Sequence, residues 1–239
     1  EVVGSTTLAN DSALTQTGGT LGAVSVSDST FTQNAGTADS LNVYGDSTFT
    51  QGADGSANEV TLNGVSATIA GTVNSLNVIN GATAEQTAGK ITSVELGASD
   101  STFTQTAGTA DNVSVLASYA FFVQGADGSA GKVTLANGAS ATLAGTVEGA
   151  VSLDASTLTA EGGIAISDTL TAENDSIVKG DITLDSAADV SLNNSTVNGS
   201  IAFAESADGA VLKLIESSVS GDVTLSGEGN SLRVENSSI

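Results

Sequence analysis

The side chains in this chain that are able to do chemistry are mostly hydroxyls, amides and carboxylates. Its 239 residues include no His and no Cys, and only 5 Lys and Arg against 27 Asp and Glu. A His-based triad, a thiol nucleophile, a zinc site of the usual nitrogen and sulfur type and a disulfide are therefore excluded. Carboxylate catalysis needs clustered acids, usually beside Lys or Arg, whereas the few cations here are scattered. We expect a protein that is not an enzyme and needs no cofactor, with a polysaccharide-cleaving enzyme as the rival class.

The charge balance narrows the possible partners. The formal net charge is −22 and the isoelectric point is near 4.1. No basic stripe is present to neutralise phosphates, so we expect no nucleic acid partner, and like charge disfavours anionic lipids and sulfated polysaccharides. No apolar run approaches the roughly 18 residues of a membrane helix, so we expect no membrane contact. Proteins, neutral glycans and divalent cations remain open.

Pairs of Thr separated by one apolar residue are the most regular polar feature. An apolar residue that points inward leaves both flanking hydroxyls in solvent, and a flat array of such pairs on successive repeats would bind ice. The pairs are interrupted at Ser66/Thr68, Ala84/Gln86 and Phe121-Phe122, so we favour an ordinary exposed strand face and keep ice binding as an alternative. The pairs are Thr30/Thr32, Thr48/Thr50, Thr102/Thr104, Thr157/Thr159 and Thr169/Thr171.

Three Asp-Gly pairs raise the question of calcium. They are Asp54-Gly55, Asp127-Gly128 and Asp208-Gly209. Calcium needs a dense cage of oxygen ligands, and the nonapeptide repeat of calcium-binding β-rolls is absent. Asp-Gly readily adopts the positive φ angles of tight turns, so we predict turns and no metal site.

These side chains must be positioned by a repeat that runs along the whole chain. Two apolar residues separated by one polar residue form a dyad, and the dyads recur at intervals of 16 to 20 residues as far as Val151. The series resumes less evenly after a weak repeat near Ile166 to Leu170. The dyads begin at Val24, Leu41, Val60, Leu76, Val94, Val113, Val133, Val151, Ile182, Ile201 and Val223.

Each dyad predicts a strand with one buried face, and a second short strand follows about seven residues later. A unit of about 18 residues cannot bury its own apolar face but has the length of one solenoid coil. We predict an all-β fold, a right-handed parallel β-helix of about 13 coils. Phe31, Phe49 and Phe103 would stack inside it, with Ile69 and Leu143 at equivalent places.

A longer period lies over the coils. The segment DSTFTQ at residue 28 returns at residue 100, and ATIAGTV at residue 67 returns as ATLAGTV at residue 141, shifts of 72 and 74 residues. We interpret residues 24–75 and 94–150 as a duplicated block of four coils, followed by less regular coils in 151–239. No change of composition marks a linker, so residues 1–239 are predicted to form a single domain.

The repeats resemble those of a known family. The phrases AGTADSLNVYGDSTFTQ, AGTADNVSVL and AGTVNSLNVINGATAEQ are similar to the Gly-Gly-Thr-Ala repeats of the self-associating autotransporter adhesins, the group of antigen 43 and the diffuse-adherence adhesin. The resemblance implies a bacterial passenger domain, exported through the outer membrane to the cell surface, that promotes cell aggregation, biofilm formation or attachment.

In those adhesins, Asn, Asp and Thr side chains on one edge of the helix are held to mediate self-association. The resemblance therefore implies binding through the edge carrying the AGTAD motif, where stacked polar rows add many weak contacts into avidity. The partner would be the same protein on a neighbouring cell, with a host surface protein or neutral glycan as the alternative. The candidate residues are Thr37, Asp39, Asn42, Thr109, Asp111 and Asn112.

Overall fold

A computed structural model shows the chain as a parallel β-solenoid of about 12 turns, with strands stacked about 19 residues apart. It describes residues 2–185 and 187–239. The all-β class and the parallel coil predicted from the dyads are confirmed. Within the described part of the chain no helix is long and apolar enough to cross a membrane.

Twenty-two of the described strands belong to one continuous sheet, and four form a separate sheet. The strands are β1 Val2–Val3, β2 Thr6–Leu8, β3 Ala13–Ser27, β4 Thr30–Tyr44, β5 Thr48–Asn63, β6 Ser66–Ile69, β7 Thr72–Ile79, β8 Thr83–Gln86, β9 Lys90–Leu96, β10 Thr102–Val115, β11 Phe121–Ala136, β12 Ser140–Leu143, β13 Thr146–Val147, β14 Val151–Asp154, β15 Thr157–Ala160, β16 Ile164–Ile166, β17 Thr169–Glu173, β18 Ile177–Lys179, β19 Ile182–Leu184, β20 Asp189–Asn193, β21 Thr196–Asn198, β22 Ile201–Phe203, β23 Val211–Ile215, β24 Ser218–Val219, β25 Val223–Thr224 and β26 Ser231–Glu235.

Two faces of the solenoid run through most of the chain. The Thr face is built from segments in parallel register that begin at Thr30, Thr48, Ser66, Thr83, Thr102, Phe121, Ser140, Thr157, Ile177 and Thr196. The dyad face is built from segments that begin at Val24, Leu41, Val60, Leu76, Val94, Val113, Val133, Val151, Leu170, Val190, Leu212 and Leu232. Four successive pairings lead from Thr30 to Thr102, so the 72-residue sequence shift corresponds to four coils.

The dyads after Val151 were assigned to the wrong face. Ile182, Ile201 and Val223 belong to the separate sheet of β16, β19, β22 and β25. The dyad face itself continues through Leu170, Val190, Leu212 and Leu232. Later coils therefore carry a second apolar dyad. The sequence prediction assumed one dyad per coil, so it could not distinguish this second dyad from the dyad of the dyad face.

The bore is packed by rows of like side chains. Phe31 stacks on Phe49 with ring centroids 5.6 Å apart, and Phe103 stacks on Phe122 at 5.5 Å. The prediction that Ile69 and Leu143 occupy this row was wrong. Their coils contribute Ala67 and Ala141 to the Phe row instead, because the inward positions of each Thr-face segment are its second and fourth residues.

Ile69 and Leu143 belong to a second inward row, which is otherwise made of Gln. Gln16, Gln33 and Gln51 form one stack of buried amides. Gln86, Gln105 and Gln124 form a second stack. Each Nε2 after the first in its stack donates to the Oε1 of the preceding coil, at 2.8–3.2 Å. Ile69 follows the first stack and Leu143 follows the second.

The corner after the Thr face requires glycine because coils approach closely there. A Cβ on Gly71 would lie 2.1 Å from the carbonyl oxygen of Gly55, and one on Gly89 would lie 2.0 Å from that of Gly71. The positive φ predicted for the Asp-Gly pairs occurs at Gly209, with a φ of 72°, but not at Gly55 or Gly128. Gly55 and Gly128 lie within β5 and β11, so the turn prediction was wrong for those two pairs.

Candidate functional site

The candidate residues of the AGTAD motif lie on one solvent-facing edge between the Thr face and the dyad face. We call this the polar edge and define it by three adjacent rows over six coils. The rows are Thr37, Ser56, Thr72, Lys90, Thr109 and Ser129; then Asp39, Asn58, Asn74, Thr92, Asp111 and Gly131; then Ser40, Glu59, Ser75, Ser93, Asn112 and Lys132.

Five of the six predicted residues belong to the polar edge. Thr37 and Thr109 share the first row, four coils apart, and Asp39 and Asp111 share the second. Asn112 lies in the third row. Asp39, Thr109 and Asn112 are exposed, and Thr37 and Asp111 are half-buried.

Asn42 is separate from the other five. It pairs with Ser25 and Thr61 on the dyad face, between buried Leu41 and Val43. Asn112 aligns with Ser40, two positions earlier in the coil. The motif is ADSLNV at residues 38–43 and ADNVSV at residues 110–115, so an ungapped alignment already matches Asn112 with Ser40 and Asn42 with Ser114.

The second row of the polar edge is hydrogen-bonded along the solenoid axis. Asn58 Nδ2 donates to Asp39 Oδ1 at 3.2 Å, and Asn74 Nδ2 donates to Asn58 Oδ1 at 3.0 Å. All three side chains are exposed. Since each amide and carboxylate has further donor or acceptor positions, the row orders its polar groups and still presents them to solvent.

The polar edge also contains two Lys residues, Lys90 and Lys132. Lys90 Nζ lies 2.7 Å from Asp111 Oδ2, and both side chains are about half exposed. Asn112 Nδ2 donates to the carbonyl of Thr92 at 3.3 Å, and exposed Lys132 follows Asn112 in the third row. The edge holds three acids, Asp39, Glu59 and Asp111, against two bases, so its net charge is −3 + 2 = −1, while the whole chain carries −22.

Sequence reasoning missed Asn58, Asn74, Lys90 and Lys132. In their coils the segment AGTADS of residues 35–40 is replaced by DGSANE, AGTVNS, AGKITS and DGSAGK. The motif therefore does not identify them. An alignment by coil position, counted backwards from each dyad, would have placed them in the rows of Asp39, Thr37 and Ser40.

The Thr face holds more hydroxyls in succession than the sequence suggested. The predicted interruption at Ala84/Gln86 was an error of one residue, because Ala84 and Gln86 are buried and the outward pair of that coil is Thr83/Glu85. Thr169/Thr171 is not part of this face, since β17 pairs with β14 and β20. The outward pairs from the second described coil of this face onward are Thr30/Thr32, Thr48/Thr50, Ser66/Thr68, Thr83/Glu85, Thr102/Thr104, Phe121/Val123, Ser140/Thr142 and Thr157/Thr159.

The carboxylates are dispersed over the surface. Across residues 2–185 and 187–239 no group of three or more Asp and Glu comes together in a way that could hold a metal ion. Asp28 accepts two hydrogen bonds from neighbouring residues. The backbone N–H of Asp46 donates to its Oδ1 at 3.0 Å, and the Ser27 hydroxyl donates to its Oδ2 at 3.0 Å. The bond from Asp46, and then that from Ser27, lowers the pKa of Asp28 below its ordinary value of 3.8.

No protein-family model matches the chain, and neither a curated protein nor a solved structure was found to be similar to it. The surfaces of this solenoid are therefore the features from which a function can be inferred.

Proposed function

We propose that this chain is the passenger domain of a bacterial surface adhesin, exported through the outer membrane, that promotes cell aggregation and biofilm formation by homotypic contacts. In this proposal two solenoids on neighbouring cells meet along their polar edges, and no catalytic step is involved. The observation that carries the proposal is the hydrogen-bonded row of Asp39, Asn58 and Asn74, continued by the ion pair of Lys90 and Asp111.

The charge distribution supports contact between two copies at this edge. Two solenoids that each carry −22 repel one another over most of their surfaces. The polar edge is nearly neutral and holds two of the chain's five cations, Lys90 and Lys132. Like copies therefore meet little repulsion there, and Lys of one copy can pair with Asp or Glu of the other.

The repeated rows supply the strength of the contact. Each exposed hydrogen bond or ion pair contributes roughly 0–1 kcal/mol, which alone would not hold two cells together. Six coils repeat comparable polar positions about 4.8 Å apart along the axis, so many such contacts form together. Many rods per cell then add avidity.

Cell sedimentation tests the proposal with charge-reversed variants displayed on a non-aggregating bacterium. We expect the Lys90→Glu/Lys132→Glu variant to lose aggregation, because the edge charge changes from −1 to about −5, a like-charge repulsion between copies. Lys179→Glu/Lys213→Glu is the matched control, with the same change in total charge on the Thr face and the dyad face. It should sediment like the wild type.

A second pair of variants tests the row itself. Asn58→Ala/Asn74→Ala removes the amides of the second row, and Asn42→Ala removes an amide that is also exposed but lies outside the edge. Aggregation should fall in the first variant and persist in the second. Persistent clumping of the Lys90→Glu/Lys132→Glu cells, or equal loss in its control, would overturn the proposal. Attachment to host glycoprotein without any clumping would favour the heterotypic alternative.

A further inference from the structure

We propose that the Thr face binds a neutral glycan, in a depression that runs from Thr48 to Thr104 and on the exposed Phe121 of the next coil. The carboxylate of Glu85 would accept hydrogen bonds from sugar hydroxyls, and Phe121 would pack against the apolar face of a sugar ring. This site lies on a different face from the polar edge. It goes beyond the proposed self-association and does not depend on it.

The depression lies over the two coils in which the internal Phe row is replaced by Ala. Ala67 and Ala84 separate the stacked pair Phe31/Phe49 from the stacked pair Phe103/Phe122. Above them the Thr face has an open depression with a volume of about 520 Å³. Its volume is within the range of ordinary small-ligand sites, roughly 300–1,000 Å³. Its lining includes Thr48, Thr50, Ser66, Thr68, Thr83, Glu85 and Thr104.

The polar lining is suited to hydroxyl groups. Each Ser or Thr hydroxyl donates one hydrogen bond and accepts up to two, as a sugar hydroxyl does. The Ser66 and Thr83 hydroxyl oxygens are 2.8 Å apart, so they already form one such bond across neighbouring coils. Glu85 is exposed, and its carboxylate has no hydrogen bond or ion pair with any residue that the structure describes. A free carboxylate beside a row of hydroxyls is a strong acceptor for a sugar diol.

Exposed apolar side chains continue the site along the same face. Phe121 follows Thr83 and Thr102 in the outward row, and Val123 follows Glu85 and Thr104. Phe121 is 45% exposed and Val123 is 39% exposed. Two coils, or about 10 Å, separate Glu85 from Val123 along the axis. The outward residues of the neighbouring coils are mostly Ser and Thr, so Phe121 and Val123 form a local apolar pair on this face.

The hydroxyls, the carboxylate of Glu85 and the exposed ring of Phe121 together favour a neutral sugar chain over other ligands. Sugar rings offer both hydroxyl groups and apolar C–H faces, matching the hydroxyls and the exposed ring. No Lys or Arg lines the depression, and the chain carries −22, so anionic polysaccharides are repelled. An ice surface would need an unbroken flat array. The hollow, the charge of Glu85 and the apolar pair Phe121/Val123 disrupt such an array.

Isothermal titration calorimetry with cellohexaose, mannohexaose and N-acetylchitohexaose tests the site, with polygalacturonate as the anionic comparison. We expect the wild type to bind at least one neutral oligosaccharide and not the polyanion. Glu85→Thr and Phe121→Thr should each weaken binding roughly tenfold, the size expected for a lost hydrogen bond to a charged group or a lost ring contact. Thr is a common outward residue of this face, so both variants should keep the fold.

Two matched controls lie outside the face. Glu95→Thr removes an exposed Glu from the dyad face, and Tyr44→Thr removes a 41% exposed ring from the end of β4. Both should bind like the wild type. Absence of binding to all three oligosaccharides, or equal losses in controls and site variants, overturns the proposal.

The ice alternative makes the opposite prediction for one variant. Glu85→Thr/Phe121→Thr/Val123→Thr places hydroxyls at the three interrupting positions. Our proposal predicts that the triple variant loses oligosaccharide binding, and that neither the wild type nor the triple variant affects ice growth. Ice-growth inhibition by the wild type that becomes stronger in the triple variant would show that the face binds ice, and the glycan proposal would be wrong.

Discussion

The two internal stacks of Gln allow a sharp test of what holds the bore together. Gln33 is the middle member of its stack. Its Nε2 donates to Gln16 Oε1 at 3.0 Å and to the Ser56 carbonyl at 2.9 Å, and its Oε1 accepts from Gln51 Nε2 at 2.8 Å. Gln51 is the last member, and its buried Oε1 has no partner because Ile69 follows it. We therefore predict that Gln33→Leu is much more destabilising than Gln51→Leu.

The size of the destabilisation depends on how many buried polar groups each variant leaves without a hydrogen-bond partner. Gln33→Leu leaves Gln16 Oε1 without its donor and leaves Gln51 Nε2 with only the distant Thr72 carbonyl at 3.5 Å. Each buried unsatisfied group costs about 1–3 kcal/mol. Gln51→Leu orphans the Oε1 of Gln33 alone, removes an oxygen that is already unsatisfied, and adds apolar surface beside Ile69. The two variants should therefore differ by roughly 2 kcal/mol in the free energy of unfolding. For a chain of this size that corresponds to about 4–8 °C in Tm.

Thermal unfolding followed by circular dichroism measures the difference. The second stack repeats the comparison, since Gln105 is a middle member and Gln124 is a last member with an unpartnered Oε1 beside Leu143. Gln105→Leu should resemble Gln33→Leu, and Gln124→Leu should resemble Gln51→Leu. Equal losses of Tm within each pair, or a larger loss for the end members, would refute the argument that satisfaction of the amide row determines the stability of the bore.

Two further predictions concern the corners. Gly71→Ala should destabilise the fold by several kcal/mol or rearrange its coil, because the new Cβ would lie 2.1 Å from a backbone oxygen. In the control Gly18→Ala the new Cβ would have no atom within 4 Å, so the Tm should change little. Comparable Tm values for the two variants would contradict the close approach of the coils at Gly71. The lowered pKa of Asp28 means that its charge stabilises the fold above the ordinary pKa of 3.8, and that this contribution is lost as the pH falls through the lowered folded value. The Tm difference between wild type and Asp28→Asn should therefore be largest at neutral pH and shrink in acid, and a difference that grows on acidification would show the opposite sign.

Individual residues show where sequence reasoning succeeded and where it failed. The dyads at Val24 through Val151 predicted their own pairing, because a strand alternates its side chains with a period of two. The equivalence of Ile69 with the Phe row failed by two positions, and the outward pair Thr83/Glu85 was missed by one. Thr-face segments lack a fixed sequence marker for their first residue, and a slip of one residue exchanges the inward and outward sets.

Composition and periodicity by themselves determined the repeat length, the parallel coil, the absence of His and Cys chemistry and the acidic surface. Those properties depend on residue types and on spacing along the chain. Only the tertiary structure decided which polar residues become neighbours, such as Asp39 with Asn58 and Lys90 with Asp111. Coils of 16 to 22 residues differ in length, so lateral register is set by the packing of each coil on the one before it, and not by the distance between residues in the sequence.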